Sequence, residues 1–203
     1  LSVIPLGSST NSAVICQGDS IFLSGDYQTL PGTYYDTINN GSATLCDSTS
    51  ETSLTVLPVS DATIISDSVF CENDPATNLL AASSGGLWSG TGITNASVGT
   101  FDPGLASSGD HVVTYGIDGF CGDTVSATIR VNESPGIAVS SADDSCLLAN
   151  GSIDLEITGG IVPYSYLWNN SSIAEDLTAL SSGTYTVVVT DSMGCSRSET
   201  IMI

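Results

Sequence analysis

The chain has 203 residues, with 22 acidic side chains, two basic ones (Arg130 and Arg197), no lysine and a formal net charge of −20. That balance offers no cationic patch to neutralise phosphates or anionic headgroups, so nucleic acid and acidic membrane surfaces are excluded as partners. Charged residues are nonetheless only 12% of a chain rich in Val, Ile, Thr and Tyr, and mean hydropathy is +0.25; this composition folds rather than forming an acidic disordered tail.

The chain opens Leu1-Ser2-Val3-Ile4-Pro5, without Met, basic n-region or transmembrane stretch, and reads as an internal piece of a longer polypeptide. Leu54-Thr55-Val56-Leu57-Pro58 nearly repeats that opening. Each phrase is followed, eleven to thirteen residues on, by Cys16-Gln17-Gly18-Asp19 or Cys71-Glu72-Asn73-Asp74. Residues 1–5 therefore read as the last strand of a preceding module. Boundaries at Pro58-Val59-Ser60 and Asn132-Glu133-Ser134-Pro135 give three modules, 1–59, 60–133 and 134–203. The first is short for a seven-strand sandwich, so a reduced sheet or a borrowed strand is expected there.

Six cysteines in a turn-rich, lysine-free chain point to an oxidising compartment. Cys46 to Cys71 and Cys121 to Cys146 both span 25 residues. Six cysteines allow 15 connectivities, and this phasing favours Cys16–Cys46, Cys71–Cys121 and Cys146–Cys195. Each bridge would staple one small core by about 3–4 kcal/mol. Zinc is disfavoured by the lack of any Cys-x-x-Cys and by the single histidine, His111.

Strand patterning is clearest in the second and third modules. Val125, Ala127, Ile129 and Val131 share one face of 124–131; Ile153, Leu155 and Ile157 share one face of 152–157; Tyr164, Tyr166 and Trp168 alternate with Ser165 and Leu167. Half-buried antiparallel sheets read this way. Ala174 to Leu180 alone is compatible with one helical turn. A phrase with Gly shortly before Tyr recurs in Leu30-Pro31-Gly32-Thr33-Tyr34 and Leu180-Ser181-Ser182-Gly183-Thr184-Tyr185, with His111 at that place in Leu105-Ala106-Ser107-Ser108-Gly109-Asp110-His111. It is akin to the tyrosine corner of immunoglobulin-like sandwiches, and His111 reads as structural. The fold class is all-β: tandem immunoglobulin-like sandwiches, each with one intramodule disulfide.

Module three resembles the SprB-type repeat of giant surface adhesins of gliding Bacteroidota. The residues that carry the resemblance are Asn150-Gly151-Ser152-Ile153, Gly159-Gly160, Pro163-Tyr164-Ser165-Tyr166-Leu167-Trp168-Asn169-Asn170, Leu180 to Tyr185, and Val187 to Cys195. Modules one and two resemble companion immunoglobulin-like repeats of such proteins through Ile15-Cys16-Gln17-Gly18-Asp19-Ser20, Leu45-Cys46-Asp47-Ser48, Phe70-Cys71-Glu72-Asn73-Asp74-Pro75 and Gly99-Thr100-Phe101-Asp102-Pro103. The resemblance implies type IX secretion, extracellular display, and a role in attachment, gliding motility or filament building, with partners that are copies of the chain, other surface-filament chains or extracellular glycans. The chain is expected not to be an enzyme and to hold no cofactor, with Ca²⁺ as the one exception weighed below.

Candidate sites follow. Calcium, held by oxygen ligands at module ends, would draw on Asp61, Asp143, Asp144 and Asp191; the competing reading is a solvated acidic surface. The resemblance also implies O-glycosylation where Asp-Ser/Thr precedes an apolar residue or Thr. Ser20, Thr37, Ser48, Ser68, Thr124 and Ser192 fit, six sites where composition alone gives roughly two. Ser89-Gly90-Thr91-Gly92 reads as a turn rather than a phosphate loop. Asp143-Asp144 lacks the surroundings of a glycosidase pair. Trp88 and Trp168 are expected in sandwich cores. Tyr34, Tyr35 and Tyr115 are the aromatics open to a glycan-binding alternative. A spacer role in a secreted multidomain hydrolase is the third reading.

Overall fold

The computed structural model describes residues 8–38, 48–146 and 148–203. The chain divides into two compact units, Leu1–Ala62 with Gly116–Thr124, and Thr63–Tyr115 with Val125–Ile203.

The first unit holds β1 (Ser8–Cys16), β2 (Ile21–Leu23), β3 (Asp26–Gln28), β4 (Gly32–Ile38) and β5 (Ser48–Leu57). A three-stranded sheet runs β1-β5-β4, and β2-β3 form a separate hairpin. β1 and β5 are parallel, from Ser8 opposite Thr49 to Cys16 opposite Leu57, whereas β4 is antiparallel to β5. Thr52 and Leu54 are buried at alternate positions of β5, as the two-residue period of a strand requires. Among the described residues of this unit the buried apolar side chains are Ile15, Leu54, Ala62 and Cys121. So small a core contributes little and leaves the unit dependent on a covalent staple.

The second unit begins with β6 (Val69–Cys71), β7 (Thr77–Asn78), β8 (Leu87–Gly90), β9 (Ile93–Asn95), β10 (Thr100–Phe101), α1 (Pro103–Ala106), β11 (Gly109–Ile117) and β12 (Asp123–Asn132); the tip of the β11–β12 hairpin belongs to the first unit. It continues with β13 (Gly136–Ala142), β14 (Gly151–Thr158), β15 (Ser165–Trp168), β16 (Leu177–Leu180), β17 (Thr184–Thr190) and β18 (Ser196–Met202). β6 to β12 make two sheets, β6-β12-β11-β8 and β7-β10-β9, and β13 to β18 make two more, β13-β14-β16 and β15-β17-β18. As in the first unit, the opening strand runs parallel to the closing one, with Val69 opposite Arg130 and Cys71 opposite Asn132. Ile129 and Val131 turn inward from β12 while Arg130 faces out, where it meets the exposed Asp110 at 3.1 Å.

Two tryptophans anchor the cores. Trp88 is 5% exposed and lies 4.6 Å, ring to ring, from buried Tyr115. Gly99 covers it: its φ of +78° and the 2.6 Å from an added Cβ to the Trp88 indole nitrogen leave no room for a side chain. Trp168, 2% exposed, packs with Ile153, Leu155, Leu177, Leu180, Val187, Val189 and Ile201, and its indole N–H donates to the Ala174 carbonyl at 2.8 Å. The two-residue alternation of β14 places Ile153 and Leu155 in that core.

The corner phrase has one geometry three times over. Tyr34 and Tyr185 donate their hydroxyl protons to the carbonyls four residues back, Leu30 at 2.8 Å and Ser181 at 3.1 Å. His111 Nε2 makes the same contact with the Ser107 carbonyl at 2.8 Å. A carbonyl can only accept, so the Nε2–H tautomer is the one bonded. The imidazole substitutes for a phenol in a structural role.

The helical turn expected within Ala174 to Leu180 is absent; β16 occupies its second half. Leu177 and Leu180 are both buried although three residues apart. A bulge explains this: the β14–β16 register shifts between Gly151 and Ser152, and Ala179 adopts φ +58°. The extra residue re-aims Leu180 inward, imitating helical spacing. The short helix forms at Pro103–Ala106 instead. Pro103 opens it, and the Asp102 carboxylate caps it by accepting the Leu105 N–H at 3.2 Å.

Candidate functional site

The cysteines are the chemistry this fold positions most deliberately. Cys16 is the last residue of β1. The next amide, Gln17 N–H, donates to the Leu57 carbonyl at 2.8 Å, and Asp19 N–H closes a turn on the Cys16 carbonyl at 2.9 Å. Cys71 ends β6 in the same setting. Glu72 N–H donates to Asn132 at 2.9 Å, Asp74 N–H returns to Cys71 at 3.0 Å, and the Asp74 carboxylate accepts the Cys71 N–H at 2.7 Å.

The bonding partners differ from the expected ones. Cys16 is bonded to Cys121 and Cys71 to Cys195, with Cα–Cα distances of 5.5 and 5.4 Å, while Cys146 is a free, exposed thiol. The expected Cys71–Cys121 and Cys146–Cys195 pairs do not form. Cys16 is taken by Cys121, so it is not available to Cys46, which itself lies outside the described residues. The parallel first strand is the cause. It carries its terminal cysteine beside the end of the last strand, where the chain leaves one sandwich for the next. In the first unit that exit segment holds the β11–β12 turn: Ser60 N–H donates to the Cys121 carbonyl at 3.0 Å and Ala62 N–H to the Asp123 carboxylate at 2.9 Å. In the second unit, Ser134 Oγ donates to Asn73 Oδ1 at 2.7 Å, and the Asn73 amide donates to the Ser196 carbonyl beside Cys195.

Of the calcium candidates, Asp191 is buried and already saturated. Its Oδ1 accepts the N–H groups of Met193 and Cys195, both at 2.9 Å, and its Oδ2 that of Ile161 at 3.0 Å. It organises the loop that presents Cys195. Asp144 is partly exposed and accepts from the Ser182 amide and hydroxyl at 3.3 Å. Asp143 is exposed, and Asp61 belongs to the first unit, where it has a partner of its own. Among the described residues no group of three or more His, Cys, Asp or Glu side chains converges as a metal site. Ser20, Thr37, Ser68, Thr124 and Ser192 are exposed, and the Ser192 hydroxyl donates to the Ile161 carbonyl at 2.9 Å; the side chain of Ser48 lies outside the description.

Gly90 ends β8 and Gly92 lies in the β8–β9 connection, where a Cβ on it would strike Phe101 at 2.6 Å. That is a packed turn. Tyr115 is buried, with its hydroxyl donating to the Ser83 carbonyl at 2.9 Å, and Tyr34 is tied at its corner, so of the three expected platform tyrosines only Tyr35 is exposed. The sequence reading overlooked Phe22 and Tyr27. They face each other across the β2–β3 hairpin, edge to face at 5.3 Å, and are 59% and 68% exposed. The signal was Ser24-Gly25, both in left-handed conformation, between two short apolar runs.

Residues 138–172 match the SprB repeat family model. That match covers 35 of the 203 residues. The match runs from within β13 to just past β15 and so includes Trp168. No curated protein matches the chain. Among solved structures it is similar to the C-terminal fragment of intimin in complex with the intimin-binding domain of its translocated receptor (14% identity, TM-score 0.42, 70% of this chain and 64% of that one). It is also similar to the N-terminal eight Ig domains of Down syndrome cell adhesion molecule (11%, 0.42, 85% and 31%) and to the insect immune protein hemolin (10%, 0.35, 99% and 74%). The chain spans under two thirds of the intimin and Down syndrome cell adhesion molecule fragments. At these scores the likeness carries no functional argument.

Proposed function

We propose that this chain is a tension-bearing repeat segment of a large extracellular surface adhesin, serving attachment, surface motility or filament building, and that it is not an enzyme. The SprB repeat at 138–172 is the observation that carries the reading. Two formed disulfides support an oxidising, extracellular setting.

Covalent topology supports the mechanical part. The 16–121 and 71–195 loops overlap between residues 71 and 121. A pull on the two ends passes from Cys16 to Cys121, back along the chain to Cys71, and across to Cys195. Segments 17–70 and 122–194 are spared. Copies of the chain or other surface-filament chains are its partners in this reading, with export by the type IX route and O-glycans on the exposed Asp-Ser/Thr sites.

Antibodies against residues 60–203 should label intact cells, and a strain lacking this segment should attach several-fold less well. Labelling that appears only after lysis, or unchanged attachment, sinks the proposal. For the glycans, the mature segment should exceed 20.7 kDa; an unmodified mass removes that part.

The exposed Phe22–Tyr27 pair favours a second reading, a glycan-binding hairpin, because open aromatic faces stack on sugar rings. Binding of a polysaccharide that Phe22→Ala and Tyr27→Ala together abolish would establish it; equal retention by wild type and variant would remove it.

A further inference from the structure

The two disulfides obey one rule. Each joins a cysteine that ends the first strand of a sandwich to a cysteine in the turn entering the last strand of the following sandwich. Cys16 follows this from β1 to the turn before β12, and Cys71 from β6 to the turn before β18. The settings recur in detail. A turn closes from Asp19 to Cys16 and from Asp74 to Cys71, and Cys121 and Cys195 stand two residues and one residue before their strands.

Cys146 follows the first strand of the third sandwich, four residues past its end, and that strand pairs antiparallel with β14 where β1 and β6 pair parallel with their closing strands. It lies in the connection leaving β13, between Ala142 and Gly151, beside a turn in which Leu148 N–H meets the Ser145 carbonyl at 3.3 Å. Its own backbone is left-handed, at φ +59°, and its thiol is exposed and free. The turn entering the last strand of this same sandwich offers Cys195, which Cys71 already holds, and Cys16, Cys71 and Cys121 are likewise committed. The thiol follows a first strand, as the two stapled cysteines end theirs, and has no described cysteine left to bond.

We infer that Cys146 is one half of a third bridge of this series, and that its partner is a cysteine in the turn entering the last strand of a further sandwich of the same construction. The two formed bridges carry this, independently of the adhesin reading. The reaction is thiol–disulfide exchange with a disulfide oxidant, either a small disulfide or a disulfide-bearing oxidoreductase. The Cys146 thiolate attacks the oxidant's disulfide and displaces one thiolate. The partner cysteine's thiolate then attacks the Cys146 sulfur and displaces the second. The oxidant leaves as two thiols, having gained the two electrons and two protons that the cysteines lost.

The test is peptide mapping of the full polypeptide from its native source, alkylated before any reduction. Cys146 should appear cross-linked to a cysteine within about two residues of the start of a sandwich-closing strand outside these 203 residues, in the same digest as intact Cys16–Cys121 and Cys71–Cys195. A covalent ladder on non-reducing gels would place the partner on a neighbouring chain, and its absence on the same polypeptide; either source satisfies the inference. Cys146→Ser should leave the partner thiol fully alkylatable while both described bridges persist, which separates a lost partner from a lost fold. A Cys146 that alkylates directly in the native protein, carries a small-thiol cap, or is bonded within these 203 residues overturns the inference.

Discussion

Removing the Cys71–Cys195 bridge, as Cys71→Ala with Cys195→Ala, tests the reasoning about closure most directly. The bridge spans 124 residues, and the chain-entropy relation assigns such a loop about 5 kcal/mol of stabilisation through the unfolded state. Trp88 and Trp168, the two tryptophans of the chain, are both buried in the second unit that this bridge closes. Their fluorescence in a urea titration therefore reports that unit. With a slope of about 2–3 kcal/mol per molar, the midpoint should fall by about 2 M. A shift under about 0.3 M would refute the entropic argument for this pair. The connectivity has a separate readout: Cys121→Ser should expose the Cys16 thiol to alkylation and leave Cys71 protected. Exposure of Cys71 instead would restore the sequential pairing and undo the account of why parallel first strands bridge forward.

Asp191→Ala strands three backbone N–H groups, that of buried Cys195 and those of the exposed Ile161 and Met193; at roughly 1–3 kcal/mol for a buried unpaired donor and less for an exposed one, the second unit should lose on the order of 2–4 kcal/mol, and a calorimetric melt unchanged within a degree would contradict the assigned role. Gly99→Ala forces a Cβ against the Trp88 indole at left-handed φ and should cost about 2–4 kcal/mol with a shifted Trp emission; wild-type emission and stability would show that the contact yields. Burial, aided by Glu175, raises the Tyr166 phenol from 10.0 to about 12. The folded state then holds that proton more tightly than the unfolded chain does, so the contribution is complete below pH 10 and is lost as pH rises through about 12. A tyrosinate absorbance titration should show a phenol ionising near pH 12, and Tyr166→Phe should remove that step; a titration finished by pH 11 would contradict the shift.

Strand content, core residues and the corner motif were legible because they are local. Alternation in 124–131 and 152–157 follows from the period of a strand, and a phenol or imidazole four residues beyond a carbonyl reaches it whatever surrounds the turn. The same locality misled at Leu177 and Leu180, where a bulge gives a strand the spacing of a helix. It also hid the loop role of Asp191, whose three donors come from both near and distant positions. Sequence by itself determined that this is a folded, all-β, cysteine-bearing chain, because composition and two-residue periodicity decide what can be buried. Only the tertiary structure decided which sulfur meets which. Disulfide partners are set by where strands end in space, and the parallel pairing of first and last strands, invisible to spacing along the chain, brings each of these strand-ending cysteines to the exit of its sandwich.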